Sequence, residues 1–523
     1  MSIDKSSDSR RSLARSAGTI GAATLVSRLL GFVRDVVIAR LFGVYLYSQA
    51  FVIAFKIPNL FRDVVGEGAA NAAVVPVFSE YVAGRRTKEF WELVNAGMNL
   101  LLVVLSAITL LGILFSPLLV RLVAPGFGAG TQQFLVTVKL NRIIFPYILL
   151  VGLAAYSMAV LNSLRHFSIP AFAPCLLNIA IIVCALAWGE GIRGLATGVL
   201  LGGLLQLVVQ LPVLYSKGFR FKFSLSNFSH PDLRRILRLM TPRLFSTAIY
   251  QLNNFVDTIF GSLAFIVGAG GVAALYFSYR LIQFPLGIFS NSLSQAILPQ
   301  LSCQALEADR GEFRKAVMFG LRSVLFVMVP ATVGFMVMSR PIVAALFRGG
   351  KFDAYAVDTT ARALFFYSIG LFAYGSTKVI NCAFFALKDT VTPTKNSALA
   401  LVLNIIFNTA LMFPMGIGGL ALATSLSGII SFWVLLIRLD QKLGGLDWAG
   451  TRNFIVKVCC ASAVMGAVCY AISSRDAIAA AGIAARAWRL LLPLCAGAAV
   501  YALTCALLRV EHMLALKRWL IRR

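Results

Sequence analysis

Apolar stretches about 20 residues long recur from one end of this chain to the other, and that recurrence limits what it can fold into more than any other feature. Each is long enough to cross the roughly 30 Å hydrocarbon layer of a bilayer as a helix. There are roughly fourteen, centred near residues 30, 60, 108, 150, 180, 205, 255, 288, 330, 370, 403, 428, 465 and 498. Hydrocarbon offers a backbone no hydrogen-bond partner, so a spanning segment must be a helix or a strand of a closed barrel. Alternating strands with turns every ten residues or so are absent, which excludes an outer-membrane barrel. With 59% hydrophobic and 13% charged residues, against roughly 25% charged in a soluble domain, the chain reads as an all-α polytopic membrane protein.

The remaining composition removes several classes of function. Residues 1–15, MSIDKSSDSRRSLAR, are polar and basic, and no small-residue cleavage site follows a short apolar core, so the first helix is expected to be uncleaved. The nine cysteines form no C-x-x-C pair and there are only three histidines, which supports neither a metal site nor a disulfide framework. The net charge of +27 would suit nucleic acid if it were spread evenly, but it follows topology. The N-terminus and every second loop after it (Arg85, Arg86 and Lys88; Arg165; Lys217 to Arg243; Arg310 to Lys315; Lys388 and Lys395; Arg438 to Arg452; Arg509 onward) hold roughly 28 of the 48 Lys and Arg. That bias places both termini in the cytoplasm and accounts for the charge without nucleic acid.

The sequence repeats itself. VVPVFSE at 74–80 matches ILPQLSC at 297–303, pairing Pro76 with Pro299 and Ser79 with Ser302 at an offset of 223. The same offset pairs Gly152 with Gly375, Arg165 with Lys388 and Pro170 with Pro393, and GIRGLA at 191–196 matches GIGGLA at 416–421. The expected organisation is a cytoplasmic segment (1–15), a first six-helix lobe (16–216), an amphipathic cytoplasmic linker (217–240), a second six-helix lobe (241–442), two extra helices (443–510) and a basic tail (511–523). Six is even, so the repeats are parallel, a pattern found in transporters with the substrate site between halves. In the linker, SHPDLRRILRLM predicts a basic helix lying on the cytoplasmic face.

Charge inside the spans is the remaining clue. SRLLGFVRDVVIAR at 27–40 places Arg28, Arg34, Asp35 and Arg40 in an apolar run, and the second span carries Lys56, Arg62, Asp63 and Glu67 among Pro58, Gly66, Gly68 and Pro76. Arg28 and Asp35, seven apart, share a helical face, and Gly31 offers a bend that could bring Arg28 and Arg34 toward one cavity. The repeat sets Arg280, in YRLIQFPLGIF, opposite Ile57. Such charges are costly in hydrocarbon and mark partners or substrates. Internal pairing of Arg34 with Asp35 or Glu67, and of Arg62 with Asp63, is one outcome, and snorkelling of Arg40 and Lys56 is another. Four arginines outnumber the nearby carboxylates, however, and a guanidinium fork matches phosphate oxygens. Asp257, in NNFVDTIFGS, is either a core aspartate bonded to Asn253 or Asn254, or a cation ligand.

SRLLGFVRD, AFKIPNLFRDVVGEGA with VVPVFSEY, YRLIQFPLGIF and FSIPAFAPCLLNI resemble the MurJ (MviN) lipid II flippase family of the MOP exporter superfamily, over about residues 12–510. The resemblance implies two MATE-like lobes forming a V around a central cavity, with two C-terminal helices making a groove for the lipid tail. It implies Arg28, Arg34, Arg62 and Arg280 as contacts of the lipid diphosphate, with Asp35 and Glu67 beside them, and sodium at Asp257 as an optional coupling ion. This sequence has Gln49, Tyr279 and Gln283 where other members often carry carboxylates, so its cavity is expected to be less acidic. The implied function is translocation, without catalysis or cofactor, of a polyprenyl-diphosphate-linked peptidoglycan precursor across the bacterial inner membrane by a monomer. A flippase for another polyprenyl-diphosphate-linked oligosaccharide fits the same physics. A drug exporter, which favours acidic and aromatic cavities, and a lipid-modifying enzyme, which needs acid–base or metal chemistry outside hydrocarbon, fit less well.

Overall fold

The computed structural model describes residues 3–61, 71–189, 191–223, 231–307, 309–473 and 483–513. These are helical except for loops and one isolated bridge between Gly349 and Phe352. Two compact units divide the chain, Met1–Ile259 and Phe260–Arg523.

The first unit runs through α1 (Ile3–Phe42), α2 (Leu46–Phe61), α3 (Asn71–Ala83), α4 (Thr87–Leu114), α5 (Ser116–Val123), α6 (Gln132–Ile144), α7 (Tyr147–Ser163), α8 (Ser168–Trp188), α9 (Ile192–Val208) and α10 (Leu211–Ser216). The boundary between units falls near the end of α11 (Pro231–Gly261). The second unit continues with α12 (Ala264–Val267), α13 (Gly271–Pro285), α14 (Asn291–Gln304), α15 (Gly311–Val337), α16 (Ser339–Phe347), α17 (Ala354–Ile369), α18 (Leu371–Ala386), α19 (Val391–Met415) and α20 (Ile417–Leu443). Last come α21 (Trp448–Ser473) and α22 (Ile483–Leu507).

The repeat is visible helix by helix. α4, α5, α6 and α8 begin at 87, 116, 132 and 168, and α15, α16, α17 and α19 begin at 311, 339, 354 and 391, which is 224, 223, 222 and 223 residues later. The turns match as well. Arg165 and Lys388 both sit at φ +58° just past a helix end, where the next amide closes the turn, His166 N–H onto Leu161 O and Asp389 N–H onto Phe384 O, each at 2.9 Å. Glycine is usual at that position. A cation there gains from the carbonyl-rich helix end, which offsets part of the left-handed strain.

Ten helices or helix pairs among the described residues are long and apolar enough to cross a membrane, and the α17–α18 pair, bent by 45°, makes an eleventh. The other three of the fourteen expected spans are α1, α2 with α3, and α11, where charge interrupts the apolar run. Helix pairing inside a unit depends on small residues, since lipid is as apolar as leucine and only close packing favours contact. Gly194, Gly198 and Gly202 form such a stripe on α9, where a Cβ would meet Cys184 O at 2.7 Å, Ile181 Cα at 2.7 Å and Leu177 Cδ1 at 2.7 Å on α8.

α11 differs from the helix expected in the linker. It does not stop near residue 240, and its apolar side does not face outward. Leu233 and Ile236 are buried, and with Met240 they pack on the first unit's core beside Val74, Val77 and Phe78. Arg235 pairs with Glu80 at 2.8 Å, and Tyr81 donates to Asp232. Of the apolar residues in that pattern, Leu237 and Leu239 are exposed.

Candidate functional site

α1 runs unbroken through Gly31, and its two arginines meet different surroundings. Arg34 is 5% exposed and Asp35 fully buried. The guanidinium donates from Nε and Nη2 to Asp35 Oδ1 at 3.1 and 2.7 Å, and from Nη1 to Asn178 Oδ1 on α8 at 3.1 Å. Asn178 Nδ2 returns a hydrogen bond to Ser27 O at 3.3 Å, and the guanidinium carbon lies 5.8 Å from the Phe55 ring centroid. The side chains at 34 and 35 point about 100° apart on the helix, so the long arginine folds back around α1 to reach its neighbour. The result is a charge-neutral clamp between α1 and α8, of the kind whose disruption costs about 3–5 kcal/mol when one partner is removed.

Arg28 lies six residues earlier, about 9 Å along the axis. It is exposed and has no hydrogen bond or ion pair among the described residues. Lys56 on α2 does not snorkel to an interface. Its ammonium donates to Thr258 Oγ1 on α11 and lies 5.3 Å from the Phe255 ring centroid. Asp257, next to Thr258, is half-buried. Arg62, Asp63 and Glu67 lie outside the described residues, as do the side chains of Asn253 and Asn254.

In the second unit Arg280 is half-buried on α13, which Ser278 ties to α17 by donating to Thr360 O at 2.8 Å. Five residues on, Pro285 leads into a π-helical turn, Leu286–Ser290, a feature frequent at functional sites. The buried Ser290 and Ser294 hydroxyls beside it have no hydrogen-bond partner among the described residues. Lys378 on α18 donates to Asn291 Oδ1 at 2.6 Å. No Asp or Glu occurs between Gly271 and Leu306 or between Thr359 and Lys388, so the segments holding Arg280 and Lys378 are purely cationic. Gln49 is buried, and Tyr279 packs on Tyr367 at 5.7 Å.

Sequence reasoning passed over Asn178 and Lys378. Lys378 is the only charged residue of α18, and Asn178 lies within the FSIPAFAPCLLNI block itself.

The family described as Lipid II flippase MurJ matches residues 38–482. A protein of Buchnera aphidicola subsp. Acyrthosiphon pisum named "Probable lipid II flippase MurJ" is 36% identical over 430 residues, covering 81% of this chain and 83% of that protein. Among solved structures, "Lipid II flippase MurJ, inward closed conformation" superimposes with a TM-score of 0.78 at 27% identity, over 93% of this chain and 98% of the other. An inward-facing multidrug resistance MATE transporter of the MOP superfamily superimposes with a TM-score of 0.69 at 15% identity, over 80% and 94%. That last likeness is one of fold alone.

Proposed function

This chain belongs to the lipid II flippase MurJ family, and on that basis we propose that it carries lipid II from the cytoplasmic to the periplasmic leaflet of the bacterial inner membrane. It is an integral membrane protein whose termini, by the distribution of positive charge, lie in the cytoplasm.

The observation that carries the reading is Arg28, an exposed guanidinium on α1 with no partner among the described residues. A cation held there without a counter-charge favours an anion, and a diphosphate offers the bidentate oxygens that a guanidinium matches. In our proposal Arg28, Arg280 and Arg62 contact the diphosphate. Arg34, held by Asp35 and Asn178, fixes α1 against α8 so that Arg28 is presented correctly. Arg62 and Glu67, outside the described residues, enter the proposal from the sequence alone.

The polyprenyl tail must stay in hydrocarbon while the headgroup crosses. α21 and α22 present exposed apolar side chains suited to that tail, among them Val456, Val464, Leu491 and Leu503. The substrate drives the conformational change only to the extent that it binds the closing state better. An outward-moving anion gains about 2.3 kcal/mol per elementary charge per 100 mV with the interior negative, so the membrane potential alone supports turnover, and sodium at Asp257 is an optional contribution.

Complementation of a strain depleted of its own lipid II flippase tests the proposal. The unaltered chain should restore growth, and Arg28→Ala or Arg280→Ala should fail while reaching the membrane at normal levels. Normal growth of the double variant would overturn it.

A further inference from the structure

At the start of α15 the second unit carries a cleft of about 470 Å³. Arg314, Lys315, Phe319 and Arg322 line one wall, and Asp447 and His512 stand on the others. None of these residues belongs to the proposed transport machinery.

The cations of the cleft are not equivalent. Arg322 closes its inner end with a 15% exposed side chain, donating to Thr451 Oγ1 at 2.9 Å and Asp447 Oδ2 at 2.8 Å, with Glu511 at 3.6 Å. Its charge is spent. Lys315 is 77% exposed and pairs only with Glu312 at 2.8 Å, a surface contact that yields readily to a stronger anion. Arg314 is half-buried, its Nε is shut away from solvent without an acceptor, and it has no ion pair among the described residues. A buried donor without an acceptor is unfavourable, and an ionised oxygen is the group that satisfies it best.

Depth distinguishes the kinds of anion. α15 has 27 residues and is therefore about 40 Å long, against about 30 Å of hydrocarbon, so its first turns reach the headgroup layer. Phe319, about 7.5 Å further along the axis, is 60% exposed, with the His512 ring stacked behind it at 5.4 Å. Cations at the polar end followed by an exposed aromatic ring toward the hydrocarbon match an amphiphile. A free phosphate would use only the cations.

We propose that this cleft binds the phosphate of an anionic phospholipid, with Arg314 and Lys315 as its ligands and Phe319 against the first methylenes of an acyl chain.

Native mass spectrometry of the full-length protein, titrated with phosphatidylglycerol or phosphatidylcholine, tests this. The unaltered protein should retain phosphatidylglycerol in preference. Arg314→Gln and Lys315→Gln should each weaken that retention about five-fold, leaving phosphatidylcholine unaffected. Phe319→Ser should weaken it without changing the binding of inorganic phosphate. Arg314→Lys, which keeps the charge, should retain most of the lipid, so that loss in Arg314→Gln reports on charge and not on folding. Equal retention in the Arg314→Gln/Lys315→Gln double variant, or equal loss in Arg314→Lys and Arg314→Gln, overturns the proposal. Displacement of the lipid by millimolar inorganic phosphate, with no effect of Phe319→Ser, would make this a soluble-anion site and also overturns it.

Discussion

Arg34 and Asp35, neighbours on α1, form a 2.7 Å ion pair buried in the first unit, and Asn178 on α8 takes a third guanidinium nitrogen at 3.1 Å. Arg28, on the same helix, is exposed. The two arginines should therefore fail differently. Arg34→Ala removes both nitrogens that hold Asp35 and should lower stability by about 3 kcal/mol, read as a lower unfolding temperature in detergent. Arg28→Ala should shift stability by less than about 0.5 kcal/mol and still abolish transport. Equal unfolding temperatures for the two variants would remove the distinction.

The link between α18 and α19 holds a second ion pair, outside the spans. Lys442 Nζ lies 2.5 Å from Asp389 Oδ2. That ammonium, with the Thr392 backbone N–H, pushes the carboxyl down to about 2. A depressed carboxyl contributes stability that is present above its unfolded range and lost as pH falls toward its folded value. The unfolding temperature should therefore decline between pH 5 and pH 3, and Asp389→Asn should flatten that decline. An identical acid profile in the variant would assign the loss to other carboxylates.

Beyond α22, His512 is stacked among Phe319, Phe326 and Phe454, with Ser323 Oγ 3.0 Å from Nε2. Burial pushes its pKa down and outweighs the upward pull of Glu511, while nearby Arg322 adds a smaller push in the same direction as burial. The folded protein thus binds fewer protons here than the unfolded chain, so this contribution is present above the ordinary imidazole range and is lost as pH falls below it. Protection against hydrogen exchange at residues 508–513, taken relative to the intrinsic rate at each pH, should fall between pH 7.5 and 5.5, and His512→Phe should suppress the effect.

Much of the architecture could be read from the chain because it depends on local and periodic signals. The apolar runs placed the spans, and the Arg165/Lys388 and Pro170/Pro393 pairs fixed a repeat that the helix starts reproduce to within a residue or two. The residues that hold the arginines were harder to see. Arg34 meets Asn178 across 144 positions, and no local pattern encodes that pairing. The excess of arginine over carboxylate was legible, but Arg34's place in a clamp and Arg28's exposure depend on rotation of α1 against α8. What α11 packs against was equally hidden, because a basic amphipathic pattern is the same whether its apolar side meets lipid or, as with Leu233 and Ile236, the neighbouring core.

Orientation is tested in a background lacking the nine native cysteines. A membrane-impermeant thiol reagent should label Tyr45→Cys and Ala129→Cys in intact cells, and Arg86→Cys and Lys217→Cys only after lysis. All four sites are exposed. Labelling of the second pair from outside would reverse the orientation and the direction of transport.

Transport of lipid II is measured most directly in proteoliposomes, by the exposure of lipid II to an impermeant probe on the destination side. Under an imposed potassium diffusion potential and without sodium, the unaltered chain should move lipid II, and Arg28→Ala/Arg280→Ala should move none. Translocation by that double variant at the unaltered rate, or transport indifferent to the potential and abolished by withdrawing sodium, would contradict an arginine-held diphosphate driven across by the field.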